Sequence, residues 1–121
     1  MRLMSVALTT PQVIAREKTV TRRNGWLFAK PGDLLVLCRK VQGRKLGEPL
    51  DRLVVVEVVD VRRERLDAIS PDECAREGLP DMAPDEFVDF FCASHKGVEP
   101  DSIVSRIEWR YREDVPVGGV R

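Results

Sequence analysis

Apolar and polar positions divide the chain into strands early and late, with helices between them. Leu3 to Leu8 reads as a short first strand. Thr9-Thr10-Pro11 then offers an N-cap hydroxyl followed by proline at the first helical position, which predicts a short helix over about 11–16. Glu17 to Arg23 is polar and β-branched and is broken by Asn24-Gly25, so it reads as a surface loop or short strand. The turn signal Lys30-Pro31-Gly32-Asp33 launches Leu34 to Val41, whose nearly continuous apolar positions suit a buried strand. After a polar connection from Gly43 to Asp51, the β-branched run Leu53 to Val61 completes a long hairpin.

Helical signals follow. Ser70-Pro71-Asp72-Glu73 has the form of a capping box with proline at the first helical position, and Gly78 supplies the left-handed residue that ends a helix over about 71–77. Ala83-Pro84-Asp85-Glu86 starts a second helix over about 84–95, in which Phe87, Val88, Phe90 and Phe91 form an apolar stripe expected in the core. Ile103 to Tyr111 alternates with period two and closes the sheet, with Trp109 expected in the core. The tail from about Glu113, with two glycines and a proline, is expected to fray. This order predicts an α+β fold: a small mixed β-barrel of five or six strands flanked by short helices.

Composition narrows the picture. A chain of 121 residues fits one domain over 1–121, with neither linker nor internal repeat. No apolar run approaches a membrane span, and Met1 to Met4 leads into no signal-peptide core, so a cytoplasmic protein without membrane contact is expected. Three widely spaced cysteines, Cys38, Cys74 and Cys92, suit buried thiols rather than a disulfide framework, and a lone histidine offers no ligand cluster. Neither metal nor cofactor is expected. Net charge is zero, which argues against a protein that coats nucleic acid. Yet residues 1–45 carry ten Lys or Arg against two acids, leaving open a basic patch or a surface on which the two halves interleave.

The densest group of hydrogen-bonding side chains is Lys18-Thr19-Val20-Thr21-Arg22-Arg23. If extended, it sends Lys18, Val20 and Arg22 to one face and Thr19, Thr21 and Arg23 to the other; a turn would bring Lys18 and Thr21 together. It is expected to be a binding element, with Thr19, Arg22 and Arg23 contacting an anionic ligand and Trp26 offering a stacking platform. The alternatives are a solvated basic loop and a Trp26 that packs over a barrel end. His95, late in the second helix, reads as a surface or capping residue.

This segment, followed by Gly25-Trp26 and Lys30-Pro31-Gly32-Asp33, resembles the opening of ASCH domains, whose pattern is Lys-Thr-x-Thr-x-Arg followed by Gly-Asp. Later blocks agree in order and spacing: Arg63-Glu64-Arg65-Leu66, Glu77-Gly78-Leu79-Pro80, Pro84-Asp85-Glu86-Phe87-Val88 and Val104-Ser105-Arg106-Ile107-Glu108-Trp109 are similar to ASCH proteins of phages and actinobacteria. The resemblance implies a PUA-like barrel with a cleft beside the Lys-Thr-x-Thr segment and a role in binding RNA or a modified nucleoside. Some small bacterial ASCH proteins are amidohydrolases of N4-acetylcytidine. That likeness implies Lys18, Thr21 and Glu77 as catalytic residues, with Arg23 nearby and no metal. Three readings follow: an RNA or nucleoside binding module, an amidohydrolase acting on an acylated base, and a small regulatory protein with a protein partner.

Overall fold

The computed structural model describes residues 1–118. Five strands form one curled, mixed sheet in the order β1-β3-β4-β5-β2: β1 (Arg2–Ser5), β2 (Val20–Arg23), β3 (Leu34–Cys38), β4 (Arg52–Arg65) and β5 (Ile103–Tyr111). β1 runs parallel to β3, and every other pairing is antiparallel. Three short α-helices, α1 (Thr10–Ile14), α2 (Pro71–Arg76) and α3 (Pro84–Ser94), accompany the sheet. The predicted barrel is thus half closed. Its outer strands β1 and β2 do not pair; the Arg23 guanidinium of β2 donates instead to the Ser5 carbonyl of β1.

The inner face gathers Met4, Leu35, Leu37, Val56, Ile107 and Trp109, and Val13 of α1 joins them. Burial of such side chains, at about 1.5–3 kcal/mol each, drives the curl. A second cluster joins Phe87, Val88 and Phe91 of α3 to Cys74 of α2 and Val104 of β5, as the stripe of phenylalanines predicted. A third, on the opposite side of β3 and β4, centres on Val36, Cys38 and Val55. Of the segment after Glu113, Val115 and Val117 pack against this third cluster, and residues 119–121 lie outside the described residues.

Several boundaries differ from the sequence reading for physical reasons. The first strand ends at Ser5 rather than Leu8, because a 3-10 turn at Ala7–Thr9 leads into α1. The expected hydroxyl cap is not made there: Thr10 Oγ1 donates to the Val6 carbonyl at 2.9 Å. α1 ends at Ile14, since Arg16 turns left-handed at φ 61°. β3 stops at Cys38, short of Val41, whereas β4 continues past Val61 to Arg65 because β5 pairs with it that far. A bulge between Val58 and Asp60 resets the alternation along β4.

The largest correction concerns Glu17 to Arg23, expected at the surface. Val20, Thr21 and Arg22 are buried as part of β2, and Lys18 is buried just before it. Pairing with β5, more than eighty residues away in sequence, takes this polar segment inside. The charge asymmetry is spent within the fold: Lys18 pairs with Glu77, Arg22 with Glu64, Glu73 and Glu77, and Arg16 with Glu113.

Candidate functional site

Backbone contacts fix the position of Lys18 before its side chain does anything. After α1 turns at Arg16, the Gln12 carbonyl accepts from both Glu17 and Lys18 N–H groups. The Lys18 carbonyl in turn accepts from Trp109 Nε1 at 3.0 Å and from the Tyr111 hydroxyl. Two aromatic residues of β5 therefore anchor the entry to β2.

Glu77 is placed by the end of α2. Leu79 N–H reaches the Cys74 carbonyl and Gly78 N–H the Ala75 carbonyl, a Schellman closure in which Gly78 adopts φ 90°. The helix start follows half of its predicted box. Ser70 Oγ accepts from Glu73 N–H at 3.2 Å, but the Glu73 carboxylate turns away to arginines. Gly78 also lies so close to α1 that a Cβ there would sit 2.7 Å from Gln12 Cβ and 3.4 Å from Lys18 Cβ. The helix end is thereby pressed against the Lys18 segment.

Lys18 Nζ donates to Glu77 Oε1 at 2.8 Å and to the Glu77 carbonyl at 3.0 Å, a cation on a helix C-terminus. Burial lowers the Lys18 ammonium pKa from its ordinary value, and the charge and hydrogen bond of Glu77 oppose that shift without reversing it. Glu77 Oε2 accepts from Arg22 at 3.0 Å, so both oxygens of this carboxylate are engaged.

Strand alternation separates the two arginines. Arg22 pairs across the sheet with Arg106, on the face covered by Glu73 of α2, while Thr21 and Arg23 pair with Ile107 and Ser105 on the other face. Like charges directly opposed repel. Glu73 relieves them by bridging, accepting from Arg22 at 2.9 Å and from Arg106 in a two-pronged contact at 2.7 and 2.9 Å. The Arg106 hydrogen bonds come first among the causes that hold the Glu73 carboxyl at about 2.

That value lies below the ordinary glutamate pKa of about 4.3, so the bridge stabilises the fold above that pH and is lost as pH falls toward 2. Urea unfolding between about pH 5 and pH 2.5 is expected to lose roughly 2–3 kcal/mol through this group. Glu73→Gln removes that share of the pH dependence; an unchanged slope would contradict the bridging role.

Arg23 has a different environment. Its guanidinium donates to the Ser5 carbonyl, its Nε is buried without a partner, and among the described residues it meets no carboxylate within salt-bridge distance. Desolvation pushes its pKa down to about 10. Thr21, buried beside it, makes no side-chain hydrogen bond among the described residues.

A pocket of about 180 Å³ opens here, between the end of β1, strand β2, the end of α2 and the face of α3. Lys18, Thr21, Arg22, Arg23 and Glu77 line one side; Leu79, Phe87, Phe90, Phe91 and His95 line the other. Five of the seven candidate residues thus share one cavity. Thr19 and Trp26 are not in its lining: Thr19 N–H bonds the Arg76 carbonyl, and Trp26 packs against the first core cluster with Phe28 at 4.9 Å. Arg22, fully buried, is occupied by three carboxylates. Phe87, Phe90, Phe91 and His95 of α3 are among the pocket residues that were not candidates from sequence. The phenylalanines lie on the stripe already read as core, and His95, read as a surface or capping residue, is the C-cap of α3. Among the described residues, no cluster of three or more His, Cys, Asp or Glu could hold a metal ion, and no helix is long and apolar enough to cross a membrane.

No protein-family model matches the sequence, and no curated protein matches it. Solved structures do. A crystal structure of an ASCH domain from Lactobacillus crispatus JV V101 superposes with a TM-score of 0.61 at 16% identity, covering 91% of this chain and 79% of that one. A protein of Enterococcus faecalis V583 from family DUF984 superposes with a TM-score of 0.57 at 13% identity, covering 84% of this chain. The match spans 66% of the enterococcal protein, just under two thirds of its length. At such identities the likeness concerns architecture alone: the chain has an ASCH-like fold, a small α+β, PUA-like half-barrel.

Proposed function

We propose that the pocket binds a nucleobase, presented by a nucleoside or by single-stranded RNA. The observation that carries this reading is one cavity with an aromatic wall on α3 facing Lys18, Thr21, Arg23 and Glu77. A base is a flat ring with polar edges, and such a cavity offers apolar faces for the ring and donors for its edge. Its volume, below the ~300–1,000 Å³ of drug-sized sites, suits a single ring system with the sugar outside. Since most of the basic first half is already paired with acids, binding should depend weakly on salt. Calorimetric titration with nucleosides and a short single-stranded RNA tests the reading. Arg23→Met is expected to weaken binding by about tenfold or more, the worth of a hydrogen bond to a charged group. No binding of either ligand class by the wild type overturns it.

A second reading, amide hydrolysis on an acylated base, is favoured by one feature: a lysine whose ammonium form is disfavoured shares the pocket with an unengaged threonine hydroxyl. Once ligand entry parts Lys18 from Glu77, a neutral Lys18 amine would take the proton from Thr21 or a water. Glu77 would exchange a proton with the leaving amine, and Arg23 would hold the acyl oxygen. Acetate release from N4-acetylcytidine, abolished by Lys18→Ala, supports this reading. Intact binding without hydrolysis of several acylated nucleosides leaves the pocket a binding site.

A further inference from the structure

His95 holds a position in the pocket that its place in the sequence did not foretell. It caps the C-terminus of α3, and its ring lies stacked on Phe91, centroids 3.9 Å apart and planes 10° from parallel. Nδ1 is 2.9 Å from the Phe91 carbonyl oxygen. That oxygen has no proton to give, so Nδ1 carries the hydrogen, and in the neutral ring Nε2 is left as an acceptor. Among the described residues Nε2 makes no hydrogen bond. Stack and hydrogen bond together hold the ring, so the acceptor is fixed before a ligand arrives.

The other polar groups of the pocket make this acceptor matter. Lys18, Arg22 and Arg23 can only donate. Glu77 can accept, but both its oxygens are taken. The hydroxyls of Ser5, Thr9 and Thr21 can do either, but they rotate and so fix neither role. A ligand edge carrying an N–H group therefore finds its fixed partner at His95, whereas a carbonyl at the same place would set two lone pairs against each other. We infer that His95 is a specificity-determining residue whose Nε2 accepts from an exocyclic amino group, so that the pocket selects amino-bearing bases over their oxo counterparts. The inference rests on the reading of the pocket as a nucleobase site.

Two pairs of probes test it by titration in mildly alkaline buffer: adenosine against inosine, and cytidine against uridine. Two variants separate the acceptor from its supports. His95→Phe keeps a ring to stack on Phe91; His95→Asn places an amide N–H where Nδ1 was and keeps the bond to the Phe91 carbonyl. The wild type is expected to prefer the amino member of a pair by about tenfold, and both variants by no more than about twofold. A ratio of affinities on one protein cancels any loss of overall stability. Undiminished discrimination in both variants, or a wild-type preference for the oxo bases, overturns the role of His95 and leaves the nucleobase reading standing. Failure of all four nucleosides to bind the wild type overturns that reading and this inference together.

Discussion

Arg22→Met is expected to destabilise the protein by about 3–5 kcal/mol, the scale of breaking a buried ion pair, with the whole urea transition moving to lower denaturant. The Arg22 side chain has no solvent exposure and donates to Glu64, Glu73 and Glu77. Its removal leaves Glu77 with Lys18 alone and Glu73 with Arg106 as its one close partner, in surroundings where unpaired charge is costly. Against typical domain stabilities of about 5–15 kcal/mol, that loss brings the fold close to its limit. The neighbouring Arg23→Met should behave otherwise. Arg23 breaks no ion pair when lost, so its stability change should stay within about 1 kcal/mol, the worth of its contact with Ser5. Equal destabilisation by the two substitutions would refute this division between a structural and a ligand-facing arginine.

Gly78→Ala is the second large effect. At φ 90° an alanine is strained by about 1 kcal/mol, and its Cβ would lie 2.7 Å from Gln12 Cβ, a collision that costs about 1–3 kcal/mol more to relieve. The expected total is roughly 3 kcal/mol. Gly97 supplies the comparison, because its φ is 83° and nothing lies within 4 Å of a Cβ built there. Gly97→Ala should show the backbone strain alone, about 1 kcal/mol. The excess at Gly78 then measures the contact that presses the end of α2 against the Lys18 segment. Equal effects of the two substitutions would mean that this close approach has no energetic weight.

These two positions also show where sequence reasoning reaches and where it stops. Ser70, Pro71 and Gly78 announced a helix because capping is local: each signal acts within four residues of the end it defines. The same locality made the α3 stripe and the β3–β4 hairpin readable. Gly78 was legible as a left-handed helix end, but its contact with Gln12 joins segments sixty-six residues apart and left no mark in the pattern. Arg22 and Arg23 are indistinguishable as a dipeptide. Only the pairing of β2 with β5 decides that Arg22 is taken up by carboxylates while Arg23, also in the pocket lining, meets none. Glu73 was read as half of a capping box, yet opposed arginines outcompete the helix N-terminus for its carboxylate. Trp26, beside two arginines in sequence, turns to Phe28 and the core. His95 enters the site because α3 ends at the pocket mouth, a fact of tertiary packing.

The claim that these parts form one ligand site is tested most directly by mapping a nucleoside on the folded protein through backbone amide NMR shifts. Titration is expected to move the signals of Thr21, Arg23, Glu77, Leu79, Phe90 and His95 along one binding curve, drawn from three separate segments that meet in this pocket. The signal of Trp26 should move little. Shifts centred instead on Arg2, Phe28 and Lys30, which line a second hollow on the surface, or no shifts at saturating nucleoside, would contradict it.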